Sequence, residues 1–240
     1  MSIKQDRNDL IRAVFYPLLF IALMWMVKGF ETLWDISFAH LGMYPLRWSG
    51  LLGIITMPFL HSNWDHLISN TFPFLFLATM LFFFYKELAW KILIWIALLT
   101  GIWLWFGARG SYHIGASGVV YGLAAFLFFS GILRNNRRLL SLTLIVAFLY
   151  GGLIWGFFPE FFPKKNISWE GHLFGFISGL LMAVYYRKDG PEEDVYHWDD
   201  SDVPDGEDAY WRSEIATDKS SLDEKARPTR IHYHYTKKKS

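Results

Sequence analysis

The chain has 240 residues, 53% of them hydrophobic, with 22 Phe, 12 Trp and 12 Tyr and no Cys. Residues 1–187 carry 14 Lys or Arg against 8 Asp or Glu, a formal charge of +6, whereas residues 188–240 carry 9 against 14, a formal charge of −5. The long uncharged runs before residue 187 exclude a single water-soluble globule, the absence of cysteine excludes disulfides and thiolate chemistry, and the mildly basic body argues against a nucleic-acid partner.

This division of charge predicts two domains. Residues 1–187 form a membrane domain in which apolar runs alternate with short polar segments. Residues 188–240 are acidic as far as Asp208 and turn basic at residues 237–239, with few aliphatic side chains. Such a segment buries too little apolar surface to offset the entropy of ordering it, so we predict a charged, disordered cytoplasmic tail.

Six apolar runs have about the length needed to cross a bilayer, roughly 20 residues each. They are residues 10–27, 67–85, 88–106, 117–133, 139–158 and 172–186. Each run is expected to be helical, because backbone polar groups find no water in lipid. The connection at residues 28–66 is apolar and aromatic, which predicts short helices lying in the membrane interface. The predicted fold class is therefore an all-α membrane protein, a bundle of six transmembrane helices with a membrane-embedded first loop.

The positions of Lys and Arg predict how this bundle is oriented. With a cytoplasmic N-terminus, ten Lys or Arg fall on the inner side of the membrane and five on the outer side. The positive-inside rule then places both termini in the cytoplasm. The compact six-span form predicts a multi-pass protein of a bacterial cell (inner) membrane, with its outer side facing the periplasm or the cell exterior.

Hydrogen-bonding side chains occur at the outer ends of three spans. His61, His66 and Asn70 accompany the start of the second span, Ser117 begins the fourth and His172 begins the sixth. Polar side chains are costly in lipid, so each is a candidate functional residue. Asn70, Ser117 and His172 lie 16, 17 and 15 residues before the next inner charge, about 23–26 Å along a helix. We therefore expect these three side chains at a similar depth, just below the outer boundary.

Glycines spaced four apart predict that the fourth and sixth helices approach each other closely. Ser117 and His172 each stand next to such a stripe, so close packing can bring the hydroxyl within reach of the imidazole. The stripes consist of Gly118 and Gly122 in the fourth span, and of Gly171, Gly175 and Gly179 in the sixth.

These residue types predict nucleophilic catalysis. Ser117 is the candidate nucleophile and His172 the base that takes its proton, with Tyr121 one turn further on to hold the imidazole by packing or by its hydroxyl. The spans contain no carboxylate to orient this base, so we predict a Ser–His dyad rather than a triad. His66 and Asn70, four residues apart on one helix face, and the backbone N–H of Ser117 are candidate donors to an oxyanion.

At this point the sequence resembles the rhomboid family of intramembrane serine proteases. The resemblance extends from the first span to Arg187 and rests on His-x4-His-x3-Asn at residues 61–70, Gly-x-Ser-Gly at 115–118 and Gly-His-x-x-Gly at 171–175. It implies a water-filled cavity open to the outer face, Ser117 and His172 as catalytic residues, and His66 and Asn70 as oxyanion donors. The supporting residues that it implies are Gly115, Gly118, Tyr121, His61 and Gly175.

The resemblance also implies the substrates and the surrounding segments. Transmembrane helices of other proteins are the expected substrates, cut close to the outer membrane face, and the lipid bilayer is the other expected partner. Residues 28–60 correspond to the embedded first loop and residues 159–169 to a cap over the active site.

A metal site is the first alternative. His61, His66, His113 and His172 offer imidazole ligands, but no His-Glu-x-x-His pattern or carboxylate within a span accompanies them. We therefore predict no metal and no other cofactor, and we interpret His40 and His113 as packing residues.

Two further alternatives are not proteases. A non-catalytic relative that only binds transmembrane helices is disfavoured, because both Ser117 and His172 are present. A small transporter is disfavoured because the spans lack a charge at the membrane midplane and interrupted helices in corresponding halves.

Overall fold

A computed structural model describes residues 3–149 and 168–190, and within these ranges the chain is helix and loop with one isolated β-bridge. This confirms the predicted all-α class for the described part of the chain. The α-helices are α1 (Ile3–Leu33), α2 (Gly53–Thr56), α3 (Trp64–Tyr85), α4 (Ala89–Gly107), α5 (Ser117–Leu133), α6 (Arg137–Leu149) and α7 (Trp169–Tyr185). Short 3-10 helices occupy Ala39–Leu41, Trp48–Gly50, Met57–Phe59 and Lys86–Leu88.

Wherever the chain is described, each predicted span overlaps a helix. The count of six transmembrane helices stays a prediction. Two stretches, Arg7–Leu33 and Trp64–Gly107, are long and apolar enough by length and composition to cross a membrane. The predicted fifth span at 139–158 is described only as far as residue 149, within α6. Most of the predicted cap at 159–169, and the predicted tail beyond residue 190, lie outside the described residues.

Polar side chains fix where two of the helices begin. Asn63 accepts a hydrogen bond from the backbone N–H of His66 at 2.8 Å, which caps α3. Ser168 accepts in the same way from Gly171 at 3.2 Å and caps α7. Each cap satisfies a backbone donor that the first helical turn leaves without an intrahelical partner. The caps thereby set the register of the two helices that carry His66 and His172.

The core lies where α3, α4 and α5 pack against one another. Large apolar side chains with 0% exposure fill it, while many apolar side chains on the outer faces remain exposed, as expected of lipid-facing surface. The fully buried members are Phe74, Leu77, Leu81, Ile92, Ile96, Leu123, Phe126 and Leu127.

The loop with short helices between α1 and α3 packs against the C-terminal end of α4. The N–H of Leu46 donates to the carbonyl of Trp105 at 3.1 Å, and the indole of Trp105 donates back to the carbonyl of Arg47 at 3.1 Å. Further on, the N–H of Gly115 donates to the carbonyl of Met57 at 2.8 Å. The first loop therefore supports residues 108–116, which lead directly into α5.

The glycine stripes allow α5 and α7 to approach each other closely, as the sequence predicts. A Cβ added to Gly175 would overlap the backbone carbonyl of Gly118, and one added to Gly179 would overlap that of Gly122. The backbones of α5 and α7 thus touch along two turns, with Ser117 and His172 at the same end of the contact.

We expect Gly175→Ala to destabilise this contact, because the new methyl group meets backbone atoms that cannot rotate away. An overpacked core site costs about 1–3 kcal/mol, which corresponds to a Tm lowered by about 3–10 °C in a chain of this size. Gly29→Ala is the matched control, since nothing lies within 4 Å of the added Cβ in α1 and alanine is the better helix former. Thermal unfolding in detergent compares the two variants, and equal Tm values would contradict the close approach.

Candidate active site

His66 and Asn70 lie on one face of α3, one turn apart and close to its capped end. His66 is half-buried and Asn70 is 5% exposed. Among the described residues, the amide nitrogen Nδ2 of Asn70 has no hydrogen-bond partner. A buried donor without a partner is destabilising by about 1–3 kcal/mol, so its retention in a fold is a sign of use by a ligand or a reaction.

Gly115 lies directly against these two side chains. Its φ of +112° is a left-handed conformation that favours glycine. A Cβ on this residue would lie 2.7 Å from Nε2 of His66 and 3.6 Å from Nδ2 of Asn70. The two nitrogens therefore converge on the backbone two residues before Ser117, in a space that any larger residue would fill.

Ser62 contacts the His66 ring at Nδ1, the nitrogen farther from Gly115. The Ser62 Oγ lies 3.2 Å from Nδ1 of His66. If the hydroxyl donates to Nδ1, the ring proton of the neutral imidazole is on Nε2, the nitrogen that faces Gly115. The contact with Ser62 therefore supports a donor at the position where His66 and Asn70 converge.

His61 packs beside this ring and not in the site itself. The two imidazoles make an edge-to-face contact with centroids 5.1 Å apart, and His61 is 2% exposed. Burial, with smaller repulsive effects from His66 and Lys28, lowers the pKa of His61 to about 3. His61 is therefore neutral at physiological pH.

The imidazole of His172 lies flat against Tyr121. Their ring centroids are 4.2 Å apart with an angle of 10° between the planes, and both residues are buried. Tyr121 is one turn after Ser117 on the same face of α5, so the His172 ring lies along the face that begins with the serine. This stack fixes the plane of the imidazole.

Ser117 is half-buried at the first position of α5 and lines a small recess. The recess is bounded by glycine backbone at Gly115, Gly118 and Gly171 and by the side chains of His113 and Ser168, among others. The serine therefore lies between the position where the two α3 nitrogens converge and the first turn of α7.

Glu170 occupies a place that the sequence did not indicate. The sequence suggests a loop or interface carboxylate, whereas the structure buries it to 4% exposure in the first turn of α7. It pairs with Arg109, with the Nε and Oε1 atoms 3.5 Å apart. Residues two apart in a helix point in nearly opposite directions, so Glu170 and His172 face different sides of α7.

The capping residues of α3 and α7 were not predicted from the sequence, although the sequence contains the pattern for them. Asn63 and Ser168 each precede an apolar run and accept from the residue three positions on, as capping residues do. Their positions just before His66 and His172 make them part of the framework of the site.

Fold and site together define an all-helical protein with membrane-length apolar helices and a polar site at the ends of α3, α5 and α7. Residues 48–189 match the family model of the Rhomboid domain, and the chain belongs to the rhomboid family. Proteins of this family are membrane proteins, and membership suggests intramembrane protease activity.

Known proteins similar to the chain include uncharacterized members and a named protease. Uncharacterized protein Rv1337 of Mycobacterium tuberculosis is 36% identical over 182 residues, which cover 73% of this chain and 75% of that protein. Uncharacterized protein ML1171 of Mycobacterium leprae is 34% identical, with 73% and 71% covered. Rhomboid protease GlpG of Pectobacterium atrosepticum is 25% identical over 196 residues, with 79% of this chain and 68% of that protein covered.

Proposed function

We propose that this protein is an intramembrane serine endopeptidase that hydrolyses peptide bonds in or near the transmembrane helices of other membrane proteins. One observation carries the proposal: the side-chain nitrogens of His66 and Asn70 converge on the backbone just before Ser117. An unpaired buried donor beside a serine at a helix N-terminus is suited to hold negative charge on a substrate oxygen.

In the proposed reaction Ser117 is the nucleophile and His172 the general base. The Oγ atom bonds to the scissile carbonyl carbon while its proton passes to the imidazole. The carbonyl oxygen becomes an oxyanion that accepts hydrogen bonds from His66, Asn70 and the backbone N–H of Ser117. The C–N bond then breaks, the leaving amine takes the proton from His172, and an acyl-enzyme remains.

Water completes the proposed cycle. A water oxygen attacks the carbonyl carbon of the acyl-enzyme while His172 removes a proton from that water molecule. The second oxyanion occupies the same donors as the first. Its collapse breaks the ester bond to Ser117, returns the proton to Oγ and releases a carboxylic acid, so no metal or cofactor takes part in either step.

The proposed dyad replaces the orienting carboxylate of a triad by ring stacking. Tyr121 keeps the imidazole of His172 in one plane, while Glu170, the carboxylate closest in sequence, pairs with Arg109 on another side of α7. The supporting glycines have steric roles in this scheme. Gly115 leaves room for the oxyanion, and Gly118 and Gly175 let α5 and α7 meet.

We further propose the membrane arrangement that the sequence predicts. Six helices span the cell (inner) membrane, the first loop lies within the interface, and both termini are cytoplasmic. The capped end of α3 and the first turns of α5 and α7 then face the periplasm or cell exterior. Exposed apolar side chains on the outer faces of the helices agree with a lipid environment.

The test uses the full-length chain reconstituted in liposomes with a reporter whose transmembrane helix carries a fluorophore on its outer segment. We expect one cleavage site near the outer end of that helix, located by mass spectrometry, and covalent labelling of Ser117 by a fluorophosphonate probe. A folded protein that binds the reporter but neither cleaves it nor reacts with the probe would overturn the proposal in favour of a non-catalytic binder.

A further inference from the structure

His113 is a buried residue, 2% exposed, at the meeting point of three segments of the chain. Its backbone forms an antiparallel bridge with Met43 of the first loop, through hydrogen bonds of 2.8 Å and 3.1 Å in the two directions. Its side chain crosses to Ser168, the cap of α7, with Nδ1 and Oγ 2.6 Å apart. The sequence had suggested only a packing role for this residue.

The hydrogen bonds of His113 to Arg109 and Ser168 have directions that follow from these neighbours, and the Ser111 Oγ, 3.4 Å from Nε2, can accept from the same nitrogen. The Nε2 atom lies 3.1 Å from the carbonyl oxygen of Arg109, which can only accept, so the proton of the neutral ring is on Nε2. The Nδ1 atom is then an acceptor, and the hydroxyl of Ser168 donates to it. Burial lowers the pKa of His113, which favours this neutral form.

The hydroxyl group of Ser168 makes two hydrogen bonds at once. While its hydroxyl proton is donated to His113, its oxygen accepts the backbone N–H of Gly171 at 3.2 Å. The serine thus links the imidazole directly to the first turn of α7. The ion pair of Arg109 and Glu170 is a second contact between the 108–116 loop and that turn of α7.

The positions of the two residues relate this link to the proposed dyad. His113 is four residues before Ser117, and Ser168 is four residues before His172. The hydrogen bond therefore joins the two segments that lead into α5 and α7, each at a residue four positions before the proposed nucleophile or base. A displacement of about 1 Å between reacting groups costs about 100-fold in rate, so a fixed distance between these helix ends matters for catalysis.

We propose that His113 and Ser168 are a pair of positioning residues that hold Ser117 and His172 at their reactive separation. The inference rests on the proposed function. Neither residue touches the scissile bond in this scheme, and both act through the helix ends to which they are attached.

Variants at His113 separate the two contacts of its ring. His113→Asn keeps an acceptor near the position of Nδ1, and His113→Gln keeps a donor near that of Nε2 but loses the contact with Ser168. We expect His113→Gln and His113→Phe to lower kcat for reporter cleavage about 10–100-fold with KM unchanged, and His113→Asn to stay within about threefold of wild type. The rate of fluorophosphonate labelling of Ser117 should fall in parallel with kcat.

Variants at Ser168 supply the second half of the test. Ser168→Thr keeps the hydroxyl and should retain activity, whereas Ser168→Ala should be at least as slow as His113→Phe, because it also removes the cap of α7. The hydrogen bond between His113 and Ser168 is lost in both single variants, so the loss in the double variant His113→Phe/Ser168→Ala should be clearly smaller than the product of the two single losses.

Three outcomes would overturn the positioning role. With an active wild type, they are a His113→Phe variant that cleaves at the full rate, equal activity of the Asn and Gln variants of His113, and a double variant whose loss of kcat equals the product of the two single losses. A loss of kcat that merely follows a lower Tm, measured on the same samples, would also assign the pair to stability alone. A wild type that neither cleaves nor labels would instead refute the proposed function.

Discussion

Ser117→Ala is expected to abolish cleavage of a transmembrane reporter in the otherwise intact protein. The substitution removes the only atom that forms the covalent bond to substrate in the proposed reaction. Loss of such a nucleophile lowers kcat by at least about 10⁴-fold, which places the remaining rate below detection in a reporter assay. Labelling by a fluorophosphonate should disappear with it.

His172 allows a test of the base that preserves packing. His172→Phe keeps a ring stacked on Tyr121 but has no nitrogen to accept the proton, so we expect a loss comparable with that of Ser117→Ala. His172→Ala should be equally inactive, with lower stability because the stack is lost.

The matched control is Ser178→Ala on α7. Its hydroxyl is buried like a catalytic group but donates at 2.7 Å to the carbonyl of Phe174 in its own helix. Full activity of Ser178→Ala together with an inactive, folded Ser117→Ala assigns the chemistry to residue 117. Cleavage retained by Ser117→Ala would refute the mechanism.

Features that depend on local spacing were accessible from the sequence. The apolar runs predicted the helices because membrane-length apolar segments have no other stable backbone arrangement. The stripes at Gly118 and Gly175 predicted a contact between two helices because four-residue spacing places small residues on one face. The one-turn spacing from Ser117 likewise predicted that Tyr121 holds the His172 ring, by packing or by its hydroxyl, and the structure shows a stack.

Features that depend on long-range contacts were not accessible. The bond between His113 and Ser168 joins residues 55 positions apart, and the capping pattern to which Ser168 belongs does not point to His113. The ammonium group of Lys28 provides a second example, since it donates to the carbonyls of His61 and Ser62 at 3.1 Å and 3.2 Å. That contact anchors the segment leading to His66, but the sequence shows Lys28 only as a charge between two apolar stretches.

The burial of Glu170 has a similar explanation. A carboxylate next to a span is expected at the surface, because isolated charges are costly to bury. Here Arg109, from a loop 61 positions earlier, supplies the opposite charge. Only the folded chain brings the two together, so their contribution to the framework of the site could not be predicted from local sequence.

Asn70→Ala is expected to lower kcat by about 10²–10³-fold with little change in KM. In the proposed reaction the amide nitrogen faces the developing oxyanion, so its hydrogen bond strengthens as charge develops in the transition state and adds little to substrate binding. Because Nδ2 has no partner among the described residues, its removal deprives the fold of no hydrogen bond that the structure shows. Steady-state cleavage of the reporter in detergent measures both constants.

Asn70→Asp tests the sign of the charge that this position stabilises. A carboxylate has nearly the shape of the amide but repels an oxyanion, so we expect Asn70→Asp to be at least as slow as Asn70→Ala. Ser69→Ala is the neighbouring control, since that exposed hydroxyl donates only to the carbonyl of His66 in its own helix and should be dispensable. A raised KM with unchanged kcat in Asn70→Ala would assign the residue to substrate binding. An Asn70→Asp variant as fast as wild type would remove it from the oxyanion site, because no group that meets developing negative charge can itself be negative without cost to the rate.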